Sequence, residues 1–200
     1  MRHIPRSGRL PAPTRDDLDG DARAVYDAIV NGPRGAGGIP PTLADADGRL
    51  QGPFNAMVHA SPAVGDAVQR LGAGIRYGSA LPERVRELAV LIVAALRRCE
   101  FEWLAHAPAA SALGMSDDIL EGIARGDAGF LEYDDMLVHR AVTELVEGRD
   151  LAQDTFEKLC TLVGVRGTVD LVMLVGYYDM LALSMRAFRV PLPEDADPSW

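Results

Sequence analysis

The sequence predicts an all-α protein, and three observations support this prediction. Apolar residues recur at spacings of three and four along most of the chain, which is the period of one helix face. No stretch alternates between apolar and polar residues for long enough to predict a strand. Hydrophobic residues make up 48% of the 200 residues, enough for a substantial core. We therefore expect one compact helical domain with an N-terminal extension.

Residues 1–50 are predicted to form this extension. A Pro-rich arm ends near Thr14, and a helix follows over 16–30, because Asp16 and Asp17 favour a helix start. The segment 32–41 is too rich in Gly and Pro for helix or strand, so we predict a loop. The helical domain then occupies 51–200.

The domain 51–200 is predicted to contain a series of helices. We expect them over 54–60, 62–77, 82–96, 99–113, 117–125, 133–147, 151–162 and 168–188. Leu88–Leu96 is apolar on every face, which predicts an enclosed central helix. The last helix carries Tyr177, Tyr178 and Asp179 among apolar residues, so it either lines a pocket or subunit contact or is a core helix with a polar side in water.

Composition and charge exclude several classes of partner. Acidic residues outnumber basic ones by 29 to 20, giving a formal charge of -9, and no basic cluster is dense enough to follow a phosphate backbone. We expect no nucleic acid partner. The N-terminus has no apolar stretch typical of a signal peptide, which predicts a soluble cytoplasmic protein with no membrane partner. Cys99 and Cys160 form no CxxC pair and no zinc-site spacing, so we expect neither a disulfide framework nor a metal.

Ionisable side chains share one face of an otherwise apolar predicted helix. At about 100° per residue, Cys99, Glu102, Trp103 and His106 fall within one arc of roughly 100°. Burying such groups costs several kcal/mol unless they are paired, so a stripe of this kind indicates a functional site. Glu102 and His106 are four residues apart, where a carboxylate and an imidazole can meet and exchange a proton near neutral pH. The alternative is a helix-stabilising pair without a substrate.

Several segments together resemble the carboxymuconolactone decarboxylase family, which includes the alkyl hydroperoxidase D type proteins. The resemblance lies in Leu81-Pro82, in 86–91, in Glu102-Trp103 with His106, and in Gly114-Met115-Ser116, and it extends through 52–62 and 175–191. It implies an alkyl hydroperoxidase D-like helical bundle that assembles into dimers, trimers or hexamers. We therefore expect a homo-oligomer acting on a small-molecule substrate.

The resemblance also implies roles for particular residues. Hydroperoxidase members have Glu, eleven residues, then Cys-x-x-Cys-x-x-x-His, and here Glu87, Cys99 and His106 match while Glu102 replaces the second cysteine. Glu87 would lie some 120° from Cys99 on an unbroken helix, so it can join the site only if the chain breaks near Arg97 and Arg98. Such a break is implied by the family alone.

A second group of residues is predicted to bind substrate. Trp103 offers a flat apolar wall, and His59, Asn55, Arg76 and Tyr77 precede the central helix and could approach its active face. Arg76 suits a substrate carboxylate. For each of these four, a structural role is the alternative.

The resemblance implies an enzyme that needs no metal or organic cofactor. We expect acid and base chemistry, a decarboxylation or a related lyase or isomerase step on a small organic acid or lactone, carried by His106 and Glu102 with Glu87 and Cys99 assisting. One alternative is a peroxiredoxin-like, thiol-dependent hydroperoxide reductase that uses Cys99 and an external thiol. A third hypothesis is an oligomer that binds a hydrophobic ligand without converting it. The sequence leaves the substrate and the reaction open.

Overall fold

The fold is known from a computed structural model, which describes residues 6–193 and residue 196. This part of the chain contains two short strands and eight α-helices. The strands are β1 (Arg6–Ser7) and β2 (Leu10–Pro11), paired antiparallel with Arg6 opposite Pro11. The helices are α1 (Gly20–Val30), α2 (Gly52–His59), α3 (Pro62–Gly78), α4 (Glu83–Arg97), α5 (Glu100–Ala112), α6 (Asp117–Arg125), α7 (Tyr133–Thr143) and α8 (Gln153–Phe188). The predicted all-α class is confirmed.

The chain divides into two compact units. The first runs to Gly78 and includes Leu183–Ala196, and the second contains Ser79–Ala182. The division of the sequence at residues 50 and 51 was drawn from composition and stays a prediction.

In the first unit, α1, α2 and α3 pack against one another. The buried side chains of Ile29 and Leu50 belong to its core. Gly65 permits the close approach of α3 to α2, because a Cβ there would lie 2.1 Å from the carbonyl oxygen of Met57. The unit is therefore a small helical cluster preceded by the β1–β2 hairpin.

In the second unit, α4 is the central helix. It packs against α5, α6 and α7, and every residue from Leu88 to Ala94 is buried. This agrees with the prediction from its uniformly apolar sequence. The only polar side chain buried on α4 is Glu87, at 2% exposure. A carboxylate in such a place needs partners.

In three places the helices depart from the predicted bounds by more than two residues, each for a local reason. The first helix begins at Gly20 instead of residue 16, because the Asp19 side chain accepts the backbone N–H of Ala22 and caps it. The helix predicted over 133–147 ends as α-helix at Thr143 and continues as a π-helical turn to Gly148. The helices predicted over 151–162 and 168–188 run on as α8, interrupted only where Gly164 is non-helical, at φ 76° and ψ 167°.

The helix α8 presents both a buried and an exposed face. Leu171, Leu174 and Val175 are buried, whereas Val165 and Met173 are more than half exposed. By length and composition α8 could cross a membrane, although core helices of soluble proteins meet the same criterion.

Candidate functional site

A sharp reversal of the chain between α4 and α5 creates the candidate site. Arg98 adopts the left-handed conformation, with φ 48° and ψ 51°, and Cys99 occupies the N-cap position of α5. The backbone N–H groups of Arg98 and Cys99 donate to the carbonyls of Ala95 and Ala94, at 3.0 and 2.8 Å. These bonds satisfy carbonyls at the end of α4, as in a typical left-handed helix C-terminus. The result is two packed helices where an unbroken helix would have kept their polar residues apart.

The reversal brings Glu87 of α4 to His106 of α5. Nδ1 of His106 lies 2.6 Å from Oε2 of Glu87, and both side chains are buried. Nε of Arg86 donates to the other carboxylate oxygen of Glu87 at 3.3 Å. Glu87 is therefore an interior residue of the site and not a surface glutamate. Its carboxylate lies between a guanidinium and an imidazole, which compensates its burial.

The second nitrogen of His106 faces Glu102. Oε2 of Glu102 lies 3.5 Å from Nε2 of His106, one helical turn away on α5, and Glu102 is also buried. The imidazole thus lies between two carboxyl groups, one on each side of the ring. Each ring nitrogen of His106 therefore has a carboxyl oxygen nearby.

Tyr178 of α8 also belongs to the site, although no sequence pattern placed it there. Its hydroxyl lies 3.3 Å from Nε2 of His106, and the two rings meet edge to face with centroids 5.3 Å apart. The available signal was a pair of tyrosines followed by an aspartate on an apolar helix. Periodicity alone could not say which helix this turn of α8 would contact.

The next residue, Asp179, anchors this turn of α8. Its carboxylate accepts hydrogen bonds from Arg97, at the end of α4, and from Arg149, the latter at 3.1 Å. The hydrogen bond from Arg97 holds the pKa of the Asp179 carboxyl below its ordinary value, against an opposing effect of burial. Tyr178 is therefore positioned from the same end of α4 that reverses at Arg98.

Comparison with known proteins identifies the segment that carries most of the site. Residues 62–144 match the model of the carboxymuconolactone decarboxylase family. Over this range the chain is similar to that family. The resemblance noted in the sequence is thus confirmed over this range, and Glu87, Glu102 and His106 all lie within the matched residues 62–144. Tyr178 lies beyond it.

Solved structures share the fold of two thirds or more of the chain at low identity. A peroxidase-related protein from Silicibacter sp. is 15% identical with a TM-score of 0.66, covering 98% of this chain and 96% of its own. A peroxidase-related protein with an alkylhydroperoxidase AhpD core, from Ralstonia eutropha, is 14% identical with a TM-score of 0.71, covering 96% of this chain and 94% of its own. A protein of unknown function from Agrobacterium tumefaciens is 22% identical with a TM-score of 0.57, covering 68% and 95%. No curated protein matches the chain. At these identities the similarity establishes the fold alone.

Trp103 and the two cysteines occupy distinct places on α5 and α8. Cys99 is buried at the start of α5, and Trp103 is buried one turn along that helix. Cys160 is a free thiol on α8 that accepts a hydrogen bond from Thr168 at 3.6 Å. The catalytic role of Cys99 and the substrate contact of Trp103 stay predictions.

The other predicted binding residues belong to the first compact unit. Nδ2 of Asn55 and Nε2 of His59 both lie 2.9 Å from the carbonyl oxygen of Pro11, so both side chains have structural contacts there. The guanidinium of Arg76 lies over the ring of Tyr77, 5.8 Å from its centroid. Their role toward a substrate stays a prediction.

Among the described residues, no group of three or more His, Cys, Asp or Glu has an arrangement that could hold a metal ion.

Proposed function

We propose that this protein is an acid–base enzyme that decarboxylates or isomerises a small organic acid or lactone without a metal or organic cofactor. One observation carries the proposal: the buried imidazole of His106 lies between the carboxyl groups of Glu87, at 2.6 Å, and Glu102, at 3.5 Å. The match of residues 62–144 to the carboxymuconolactone decarboxylase family supports it.

Each of the three side chains has a distinct task in this proposal. Glu87 is a positioning residue: it accepts the Nδ1–H of His106 and fixes the orientation of the ring. His106 and Glu102 present Nε2 and Oε2 on the other side of the ring, and these two groups exchange a proton with the substrate. A positioned acid or base of this kind contributes about 10²–10⁴-fold to a rate.

The decarboxylation step needs one proton. The substrate carboxylate leaves as CO₂, the electron pair of the broken bond remains on carbon, and that carbon takes a proton from the site. The site then takes up a proton from the solvent, so that each turnover consumes one proton. Isomerisation of a lactone needs the same groups, since a proton is removed at one carbon and returned at another.

The experiment measures loss of substrate and release of CO₂ for a set of carboxylated lactones, beginning with carboxymuconolactone. We expect His106→Gln and Glu102→Gln to lower kcat at least about a hundredfold. His139→Gln and Glu100→Gln are the matched controls, because they remove a half-buried histidine of α7 and a partly exposed glutamate of α5. Turnover by both site variants at the wild-type rate would exclude the proposal.

A second candidate, a thiol-dependent hydroperoxide reductase, is favoured by the position of Cys99 at the N-terminus of α5. The positive end of a helix stabilises a thiolate. The thiolate would attack a hydroperoxide, releasing the alcohol and forming a sulfenic acid, and two equivalents of external thiol would reduce this to the thiol with release of water and a disulfide. An external thiol is required because Glu102 occupies the place of the second cysteine. Cumene hydroperoxide consumption with dithiothreitol should then disappear in Cys99→Ser and persist in Cys160→Ser.

A further inference from the structure

The two nitrogens of His106 have different kinds of neighbours. Nδ1 lies against Glu87, whose other carboxylate oxygen accepts a hydrogen bond from Arg86. A carboxylate held by a guanidinium is ionised and can only accept, so the hydrogen of this contact belongs to Nδ1. Nε2 is therefore the ring nitrogen whose protonation remains to be assigned.

Two oxygens from different helices approach Nε2. The hydroxyl of Tyr178 is the nearer at 3.3 Å, and Oε2 of Glu102 lies at 3.5 Å. If Nε2 carried a proton toward an ionised Glu102, a charge-assisted hydrogen bond of about 2.7–2.9 Å would be expected. The observed separation is well beyond that range, whereas the Glu87 contact on the other side of the ring is short.

The charge balance of the site also favours a neutral imidazole that carries no proton on Nε2. Arg86 already neutralises Glu87, and the side chains of Glu87, Glu102 and His106 are all at most 6% exposed. An imidazolium facing an ionised Glu102 would add two more charges to this interior, and burying charges is costly even when they are paired. A neutral imidazole facing a protonated Glu102 adds none. In that state, Nε2 has a lone pair that accepts the hydroxyl hydrogen of Tyr178.

We propose that Tyr178 is a positioning residue that holds His106 as the neutral Nδ1–H tautomer and thereby keeps the exchangeable proton of the site on Glu102. This rests on the proposed function and assigns its roles: Glu102 is the acid that donates to substrate, and His106 supports it as a neutral base. Glu102 becomes a carboxylate when it donates, and a proton taken up from the solvent restores the acid.

The test needs no substrate, because it locates the proton directly. Long-range ¹H–¹⁵N spectra of protein labelled at histidine distinguish the two neutral tautomers from imidazolium. The chain has 4 histidines, and His106→Gln assigns the signal of interest. In the wild type at pH 7 we expect His106 to be the neutral Nδ1–H form, and we expect an infrared band of a protonated carboxylic acid that disappears in Glu102→Gln.

Tyr178→Phe removes only the hydroxyl. We expect the proton to move, so that His106 becomes imidazolium and the carboxylic acid band is lost. Tyr177→Phe is the matched control: its ring packs edge to face on Tyr178 with centroids 5.4 Å apart, and it is equally buried. It should leave both spectra unchanged.

Two results would overturn the inference, and each is separable from failure of the proposed function. An imidazolium at position 106 in the wild type would do so without any variant, and so would a Tyr178→Phe spectrum identical to the wild type. If the spectra change as expected but His106→Gln and Glu102→Gln keep full turnover, the proposed function fails while the role of Tyr178 stands.

Discussion

Nδ1 of His106 lies 2.6 Å from Oε2 of Glu87, although 19 positions and a reversal of the chain separate the two residues. The contact links the two helices that frame the site, and it gives a buried carboxylate of α4 its imidazole partner. Its contribution can be measured as stability as well as activity.

Removing the carboxylate should destabilise the fold. Glu87→Ala leaves His106 and Arg86 without their shared acceptor, and we expect the free energy of unfolding to fall by about 3 kcal/mol. Glu87→Gln keeps the shape and one acceptor oxygen, so a loss of about 1–2 kcal/mol is expected. Urea denaturation followed by circular dichroism measures both. Glu83→Ala, at the exposed start of α4, is the control and should change stability by no more than about 0.5 kcal/mol. Equal effects at positions 87 and 83 would contradict this account.

The anchor at Asp179 should make stability depend on pH. Hydrogen bonds from Arg97 and Arg149 lower the pKa of this carboxyl in the folded state. Its contribution is therefore complete above the unfolded pKa of about 4 and is lost as the pH falls through the lower folded value. At pH 7, Asp179→Asn should cost about 2 kcal/mol, and the difference from wild type should shrink below about pH 4.

Denaturation curves between pH 3 and pH 7 provide the measurement for Asp179. Glu121→Gln is the control, because the ion pair of Glu121 with Arg125 is exposed. Its effect should stay below about 0.5 kcal/mol at every pH. A difference between wild type and Asp179→Asn that does not vary with pH would show that the carboxylate acts only through packing.

Replacing Arg98, which has a left-handed backbone conformation, by glycine should raise the free energy of unfolding. An L-residue pays about 1–2 kcal/mol in this region, which glycine avoids. We expect Arg98→Gly to raise the free energy of unfolding by up to about 1 kcal/mol, since part of the gain is offset by the freer unfolded chain. Arg166→Gly, at an exposed helical position of α8, should instead lower it by about 1 kcal/mol. A loss at position 98 as large as that at position 166 would disprove strain at the reversal.

Gly164 should tolerate no side chain. Its φ of 76° and ψ of 167° are essentially reserved for glycine, so Gly164→Ala should cost about 1–3 kcal/mol although no other group crowds the site. Gly74→Ala is the control, because Gly74 is an exposed helical position of α3 with open space around it. There alanine should stabilise by about 0.5–1 kcal/mol. Thermal unfolding of the two variants should therefore shift in opposite directions.

We propose that the expected homo-oligomer forms through an exposed apolar stripe on α8. Val165, Val169, Val172 and Met180 are exposed at spacings of three, four and eight residues, which forms an apolar stripe on one face of the helix. We expect a second copy of the chain to cover this stripe, so that light scattering gives a mass that is a multiple of 21.5 kDa.

Charge on the stripe should disrupt this assembly. Val169→Glu should give monomers, whereas Thr161→Glu, at an exposed polar position on α8, should leave the mass unchanged. A wild-type protein that is monomeric at all concentrations, or that sediments with lipid vesicles, would reject a second copy as the partner of this face.

Local patterns were sufficient to predict the helices and half of the site. The i,i+4 pair of Glu102 and His106, the enclosed α4 and the bounds of α6 follow from periodicity and capping, which act within a few residues. The partners from other helices did not follow. Arg98 is no obvious helix breaker, and its left-handed turn is held by hydrogen bonds to the end of α4. The hydroxyl of Tyr178, 72 positions from His106, reaches Nε2 only because α8 packs there. Helix periodicity determines which face of a helix is apolar, but tertiary packing decides which residues of different helices meet.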